Sequence, residues 1–172
     1  MTREEFSDLA LSYLEEIAAF ARRLTGNTAD ADDLVQATFE RAFESWRGLR
    51  ESAACHAWLF RIARNLFLDG RRASAMRPQL SLAEGAESGA PAFLVPAEAV
   101  ERLTARELEA ALERLPGDQR EALLLCDLWG FRYAEIAEIV GSPVGTVRSR
   151  IARARSRVSA LLGRTSKESK GV

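Results

Sequence analysis

Five arginines fall between positions 148 and 157: Arg148, Arg150, Arg153, Arg155 and Arg157. No acid occurs between Glu138 and Glu168. Guanidinium groups at this density, unmixed with carboxylates, suit the oxygens of a phosphate backbone, which they grip with charge-assisted hydrogen bonds. At a helical step of roughly 100° per residue, Val144, Val147, Ile151, Ala154, Val158 and Leu161 make one apolar stripe. Arg148 and Arg155 lie along one edge of it, and Arg150, Arg153 and Arg157 towards the other. Gly145, Ser149, Ala152 and Ser156 fall opposite. A small outward ridge between cationic shoulders fits a major groove, with arginines reaching both phosphate walls. An ordinary solvated face is the bland alternative, but such faces mix signs.

A second set of residues offers a different chemistry. The run His56 to Arg72 mixes Trp58 and Phe60 with Arg61, Arg64, Asn65, Arg71 and Arg72. Aromatic rings beside cations at a loop–helix junction suit unstacked single-stranded bases. Burial statistics for large aromatics nevertheless favour the core for Trp58. Covalent or metal chemistry finds no support. His56 is the only histidine, and with Cys55 and Cys126 it falls short of a four-ligand zinc site. No nucleophile–base pairing, phosphate loop or carboxylate pair stands out, so neither an enzyme nor a cofactor is expected. Cys55-His56 as a metal or redox sensor would need an exposed, activated thiol.

These residues need helices to position them. The chain has 172 residues, 47% of them hydrophobic and 28% charged, which describes a folded chain of one domain or two small ones. Apolar periodicity predicts helices over about 3–24, 29–47 and 56–75, the last with Trp58, Leu59, Ile62, Leu66 and Phe67 inward. Residues 76–101, with Gly85, Gly89, Pro91 and Pro96 among Ser, Ala and Glu, read as a linker. Beyond it, Thr104 with Glu107 and Asp118 with Glu121 look like capping boxes that open two helices. A short helix over Tyr133–Val140 then has Ala134, Ile136, Ala137 and Val140 inward. Gly141 is a turn, Ser142 an N-cap and Pro143 a first helical residue. The expected fold is all-α: two small helical domains, 1–75 and 102–165, joined by a flexible linker, the second ending in a helix-turn-helix.

Charge separates the two ends. Residues 1–46 carry ten acids against four arginines, and residues 139–172 carry six arginines and two lysines against Glu168. The basic end suits nucleic acid and the acidic end a protein surface. In the free protein the acidic domain is expected to shield the basic helix. Equal low-salt DNA affinity of residues 104–172 and the full chain would remove that expectation. No window is apolar for long enough to span a membrane, and the acidic start is unlike a signal peptide, which points to the cytoplasm without membrane insertion.

The chain resembles bacterial sigma factors of the extracytoplasmic-function group over nearly its whole length. In the first domain the matching runs are Asp33-Leu34-Val35-Gln36-Ala37-Thr38-Phe39, Trp58-Leu59-Phe60-Arg61-Ile62-Ala63-Arg64-Asn65 and Asp69-Gly70-Arg71-Arg72. In the second they are Leu115-Pro116, Gln119-Arg120-Glu121, Gly130-Phe131, Tyr133-Ala134-Glu135-Ile136-Ala137 and the run Pro143 to Arg155. The resemblance implies core RNA polymerase as a partner, through its clamp and flap, with Asp33, Gln36 and Glu40 on the clamp. It implies reading of a minus-10 element as separated strands by the Leu49–Cys55 loop, Trp58, Arg61, Arg64, Asn65, Arg71 and Arg72. It implies reading of a minus-35 duplex by Thr146, Arg148, Ser149, Arg150, Ala152, Arg153 and Arg157. An anti-sigma factor is a further implied partner. A free-standing helix-turn-helix regulator does not account for the Asp33–Phe39 and Trp58–Arg72 runs. A sigma-mimicking decoy that binds an anti-sigma factor would be expected to lose the arginines.

Overall fold

The computed structural model describes residues 1–49, 51–75 and 105–168, with side chains placed for 1–49, 51–73 and 106–162. The chain divides into two compact units, Met1–Ser88 and Gly89–Val172. All regular structure among the described residues is helical. The expected linker at 76–101 and the Thr104 cap lie outside the described residues. Among the described residues, no helix is long and apolar enough to cross a membrane.

The first unit holds α1 (Arg3–Leu11), α2 (Leu14–Thr25), α3 (Thr28–Ser45) and α4 (Cys55–Ala75). The single helix expected over 3–24 is two. The amide of Tyr13 donates to Ala10 O at 3.1 Å, a tightened three-residue bond, and the Ser12 hydroxyl donates to Leu9 O at 2.7 Å. These bonds use up the carbonyls that would have continued the helix. Thr2 and Glu5 close a capping box at the start of α1, and Asn27 caps α3 by accepting from the Asp30 amide at 2.9 Å. The loop expected at Leu49–Cys55 holds a 3₁₀ turn at Ser52–Ala54, another 3₁₀ turn at Trp46–Gly48 precedes it, and α4 starts at Cys55.

Helix α4 packs on α1, α2 and α3. Three neighbours bury a wider arc than one apolar edge supplies. Cys55, Leu59, Phe60 and Ala63 are therefore fully buried, whereas Trp58, Ile62, Leu66 and Phe67, expected inward, are half-buried. Aromatic rings fill the junction. Phe6 is fully buried, edge-on to Phe43 (centroids 5.4 Å) and Trp58 (6.1 Å), and stacked on Trp46 (6.1 Å). Each such pair contributes about 0.5–1.5 kcal/mol beyond area burial.

The second unit holds α5 (Ala105–Glu113), α6 (Gly117–Asp127), α7 (Tyr133–Val140) and α8 (Val144–Glu168). Its core is mainly aliphatic: Leu123, Leu125, Ile136, Ile139, Val147 and Ile151 are buried almost completely. Helix α8 packs on α5, α6 and α7 through Val147, Ile151, Ala154, Val158 and Leu162. Val144 is exposed and Leu162 takes the place expected of Leu161. On α7, Ile139 is inward rather than Ala134, which is exposed, and Ala137 is only half-buried. Gly141 has φ +64°, and its amide and that of Ser142 both donate to Ala137 O. That left-handed residue turns the chain from α7 into α8 at no side-chain cost.

Candidate nucleic-acid interface

Helix α8 presents its arginines in two different ways. Arg148, Arg153 and Arg157 are exposed, as is Ala152 between them. Among the described residues, these three arginines make no ion pair. Arg150 and Arg155 are engaged. The Arg150 Nε lies 2.9 Å from Asp118 Oδ2, and a terminal nitrogen donates to Ser142 Oγ at 3.1 Å. Arg155 grips both oxygens of Asp127, at 2.6 and 3.3 Å, and approaches the Cys126 sulfur at 3.7 Å. Hydrogen bonding to Asp127 raises the Arg155 pKa further above its already high ordinary value.

These pairs overturn two expected caps. Asp118 does not cap α6: Pro116 precedes that helix with no side-chain cap. Ser142 does not open α8. The Pro143 carbonyl, one residue before the helix, accepts from Thr146 and Val147 instead. A charged guanidinium is a stronger partner than a local amide, so Arg150 takes both side chains, one through Nε and one through a terminal nitrogen. Thr146 and Ser149 are half-buried, and the Ser149 hydroxyl donates to Thr146 O at 2.9 Å.

In the first unit, the residues expected to read separated strands lie on α4 and just before it. Arg61, Asn65, Arg71 and Arg72 are exposed, and Arg64 is half-buried. Arg71 lies over the Phe67 ring at 5.8 Å, and Arg72 pairs loosely with Asp69 at 3.3 Å. Trp58 is half-buried against Phe6, and Phe60 is wholly in the core, between Phe20 and His56. Phe60 is therefore not a stacking surface.

Sequence reasoning missed two features here. Arg47 lies 5.5 Å over the Trp46 ring. His56 stacks on Tyr13 (4.5 Å, 12°) and meets Glu16 Oε2 at 2.9 Å, which fastens the start of α4 to α2. Tyr13 and Glu16 stand three apart, one helical turn, which was the available signal. Cys55 is buried beside them, and burial pushes its thiol up to about 11, so it is a core residue rather than a reactive one. No group of three or more metal-ligating side chains occurs among the described residues.

Asp33, Gln36 and Glu40 stand exposed along one side of α3, where Gln36 donates to Glu40 at 2.9 Å. Leu34 and Phe39 on the opposite side are buried. The acidic side is thus open to a partner.

Two family models match this chain: Sigma-70 region 2 over residues 9–76 and Sigma-70, region 4 over residues 105–158. The chain is 41% identical over 159 residues to an ECF RNA polymerase sigma factor, EcfG, of Rhodopseudomonas palustris, spanning 92% of this chain and 86% of that one. It is 37% identical to the ECF sigma factor SigE of Mycolicibacterium smegmatis, over 95% of this chain and 63% of that one. Among solved structures it resembles the sigma factor RpoE of Bartonella quintana, crystallised with the anti-sigma factor NepR. The TM-score is 0.74 at 33% identity, over 93% of this chain and 98% of that one.

Proposed function

The chain belongs to the extracytoplasmic-function sigma factors of RNA polymerase, and from that premise we propose that it binds core polymerase and directs initiation at its own promoters. The observation that carries this is the exposed trio Arg148, Arg153 and Arg157 on a helix whose other side is buried. In this reading α8 enters the minus-35 major groove. Arg148 and Arg153 reach base edges or phosphates, Arg157 holds a phosphate, and Ala152 offers only a methyl contact. The Ser149 proton is engaged by Thr146 O. Its hydroxyl therefore presents lone pairs, which suit the amino group of an adenine or a cytosine.

The first unit takes the strands once separated. Arg61, Arg64, Asn65, Arg71 and Arg72 line the path, while Trp58 buttresses it from its seat on Phe6. Opening each base step costs about 1.4 kcal/mol in stacking. Contacts to the polymerase and to the captured strand together offset that cost. Asp33, Gln36 and Glu40 supply the polymerase contact, on the clamp, and the second unit meets the flap. No step is chemical: the chain supplies specificity and the polymerase the catalysis. An anti-sigma factor is a further partner, supported by the relative that was crystallised with one. The place of action is the cytoplasm, where polymerase and promoter are.

Footprinting tests this. Core polymerase with the full chain, on fragments of the parent genome, should protect an upstream duplex element and leave permanganate-reactive thymines downstream. Core polymerase that gives the same pattern without the chain would defeat the proposal.

A further inference from the structure

Helix α6 carries an acid at each end: Asp118 is its second residue and Asp127 its last. Each holds one arginine of α8, Arg150 at 2.9 Å and Arg155 at 2.6 Å. The two attachments differ in kind. Asp118 stands where the helix dipole favours an anion. Asp127 stands at the end where the dipole disfavours one, so its carboxylate depends on Arg155 for compensation. Arg150 also reaches Ser142, so a single guanidinium ties the start of α6, the turn and α8 together. It does so at the expense of the local caps that Asp118 and Ser142 would otherwise make.

We infer that Arg150 and Arg155 are positioning residues that fix the tilt and register of α8 on α6, and that they do not serve as DNA contacts. This inference rests on the reading of α8 as the minus-35 helix. Two attachment points define an axis where an aliphatic stripe alone permits sliding and rolling. The tolerance is small. Arg148 and Arg157 are about 13 Å apart along the helix. A tilt of about 10° moves one against the other by about 2 Å, well outside hydrogen-bond range. Holding α8 therefore decides whether Arg148, Ser149 and Arg153 meet base edges together.

The acids make the inference testable, because the two roles predict opposite signs. If Arg150 were a phosphate contact restrained by Asp118, then Asp118→Asn would free it and strengthen binding to any duplex. If Arg150 positions α8, Asp118→Asn weakens binding to the preferred duplex only. The experiment uses the full chain with core polymerase. Its probes are a fragment that the wild-type holoenzyme enriches from a random duplex pool and the same fragment with its upstream half scrambled. Asp118→Asn, Arg150→Ala and Asp127→Asn should each lower the preferred-to-scrambled affinity ratio by about tenfold, the worth of one base contact. The Asp118→Asn, Arg150→Ala double variant should be no worse than Arg150→Ala alone. The exchange Asp118→Arg with Arg150→Asp restores the α6–α8 pair without the Ser142 bond and should recover part of the ratio, with circular dichroism reporting that the variants remain helical.

Three results overturn the inference: tighter binding of both fragments by Asp118→Asn; equal weakening of both by Arg150→Ala, with the salt slope reduced by about one; or an exchange variant that stays helical but recovers nothing. A wild-type holoenzyme that enriches no fragment removes the minus-35 reading itself, and this inference with it.

Discussion

Two long helices carry the arginines proposed to meet nucleic acid, and they are held by different means. Helix α4 is seated mainly by rings: Trp58 against Phe6, Phe60 against Phe20 and His56 against Tyr13, with the His56–Glu16 contact beside them. Arg61, Arg71 and Arg72 on it are exposed. Helix α8 is seated by an aliphatic stripe and by two of its own arginines, bonded to α6. Counting arginines thus overstates the free cationic surface of α8. Rings lock orientation through shape, since an aromatic core has few alternative packings. Branched aliphatic residues repack more readily, and polar attachments restore a single geometry. The aromatic seat lies beneath the surface proposed to capture strands. The polar seat lies beneath the surface proposed to read a duplex.

The largest expected effect lies in the aromatic seat. Phe6→Ala should destabilise the first unit by about 3–5 kcal/mol, as for other buried phenylalanines. Hydrogen exchange should rise in α1–α4 and stay unchanged in α5–α8. Equal loss in both units would mean that they do not hold their helices separately. A smaller effect is expected at the turn of the second unit. A Cβ at Gly141 meets nothing within 4 Å, so Gly141→Ala costs only the left-handed backbone, about 1–2 kcal/mol. It should lower upstream-element binding through α8 and leave strand capture alone.

Smaller again is Thr2→Ala, which removes one capping bond of 3.2 Å and should cost about 1 kcal/mol in denaturant midpoint experiments. The last is a pH effect. The Cys55 thiol is raised by burial from 9.0 to about 11. Above pH 9 the unfolded chain releases this proton while the folded chain keeps it. The stability it gives is therefore intact below pH 9 and is lost as pH rises towards 11. Urea midpoints of wild type and Cys55→Ala should converge over that window. Parallel curves would mean that Cys55 does not differ between the two states.

Much of this was legible in sequence wherever the cause is local. The helix Tyr133–Val140 and the left-handed Gly141 fall where periodicity and turn chemistry place them. Val147, Ile151, Ala154 and Val158 are buried as a 3.6-residue period requires. Two of the errors share a physical origin. Asp118 and Ser142 have cap chemistry, yet both serve Arg150, 32 and 8 residues away in sequence respectively. No local pattern encodes that competition. The break at Ser12–Tyr13 was hidden because the apolar spacing continues through it. Phe60 and Ala63 are buried because α4 has neighbours on several sides, which only the tertiary packing reveals. Of the site, the exposure of Asp33, Gln36 and Glu40 is plain in the structure. The division of the α8 arginines into free and engaged sets was not visible in the sequence.

Run-off transcription from genomic promoter fragments tests the central claim most directly. Purified core polymerase is assayed alone, with the full chain, and with the chain carrying both Arg148→Ala and Arg153→Ala. Defined transcripts should appear only with the wild-type chain and fall at least about tenfold with the variant, the worth of a lost base contact. Transcripts of equal yield from core polymerase alone, or undiminished yield from the variant, would contradict the account.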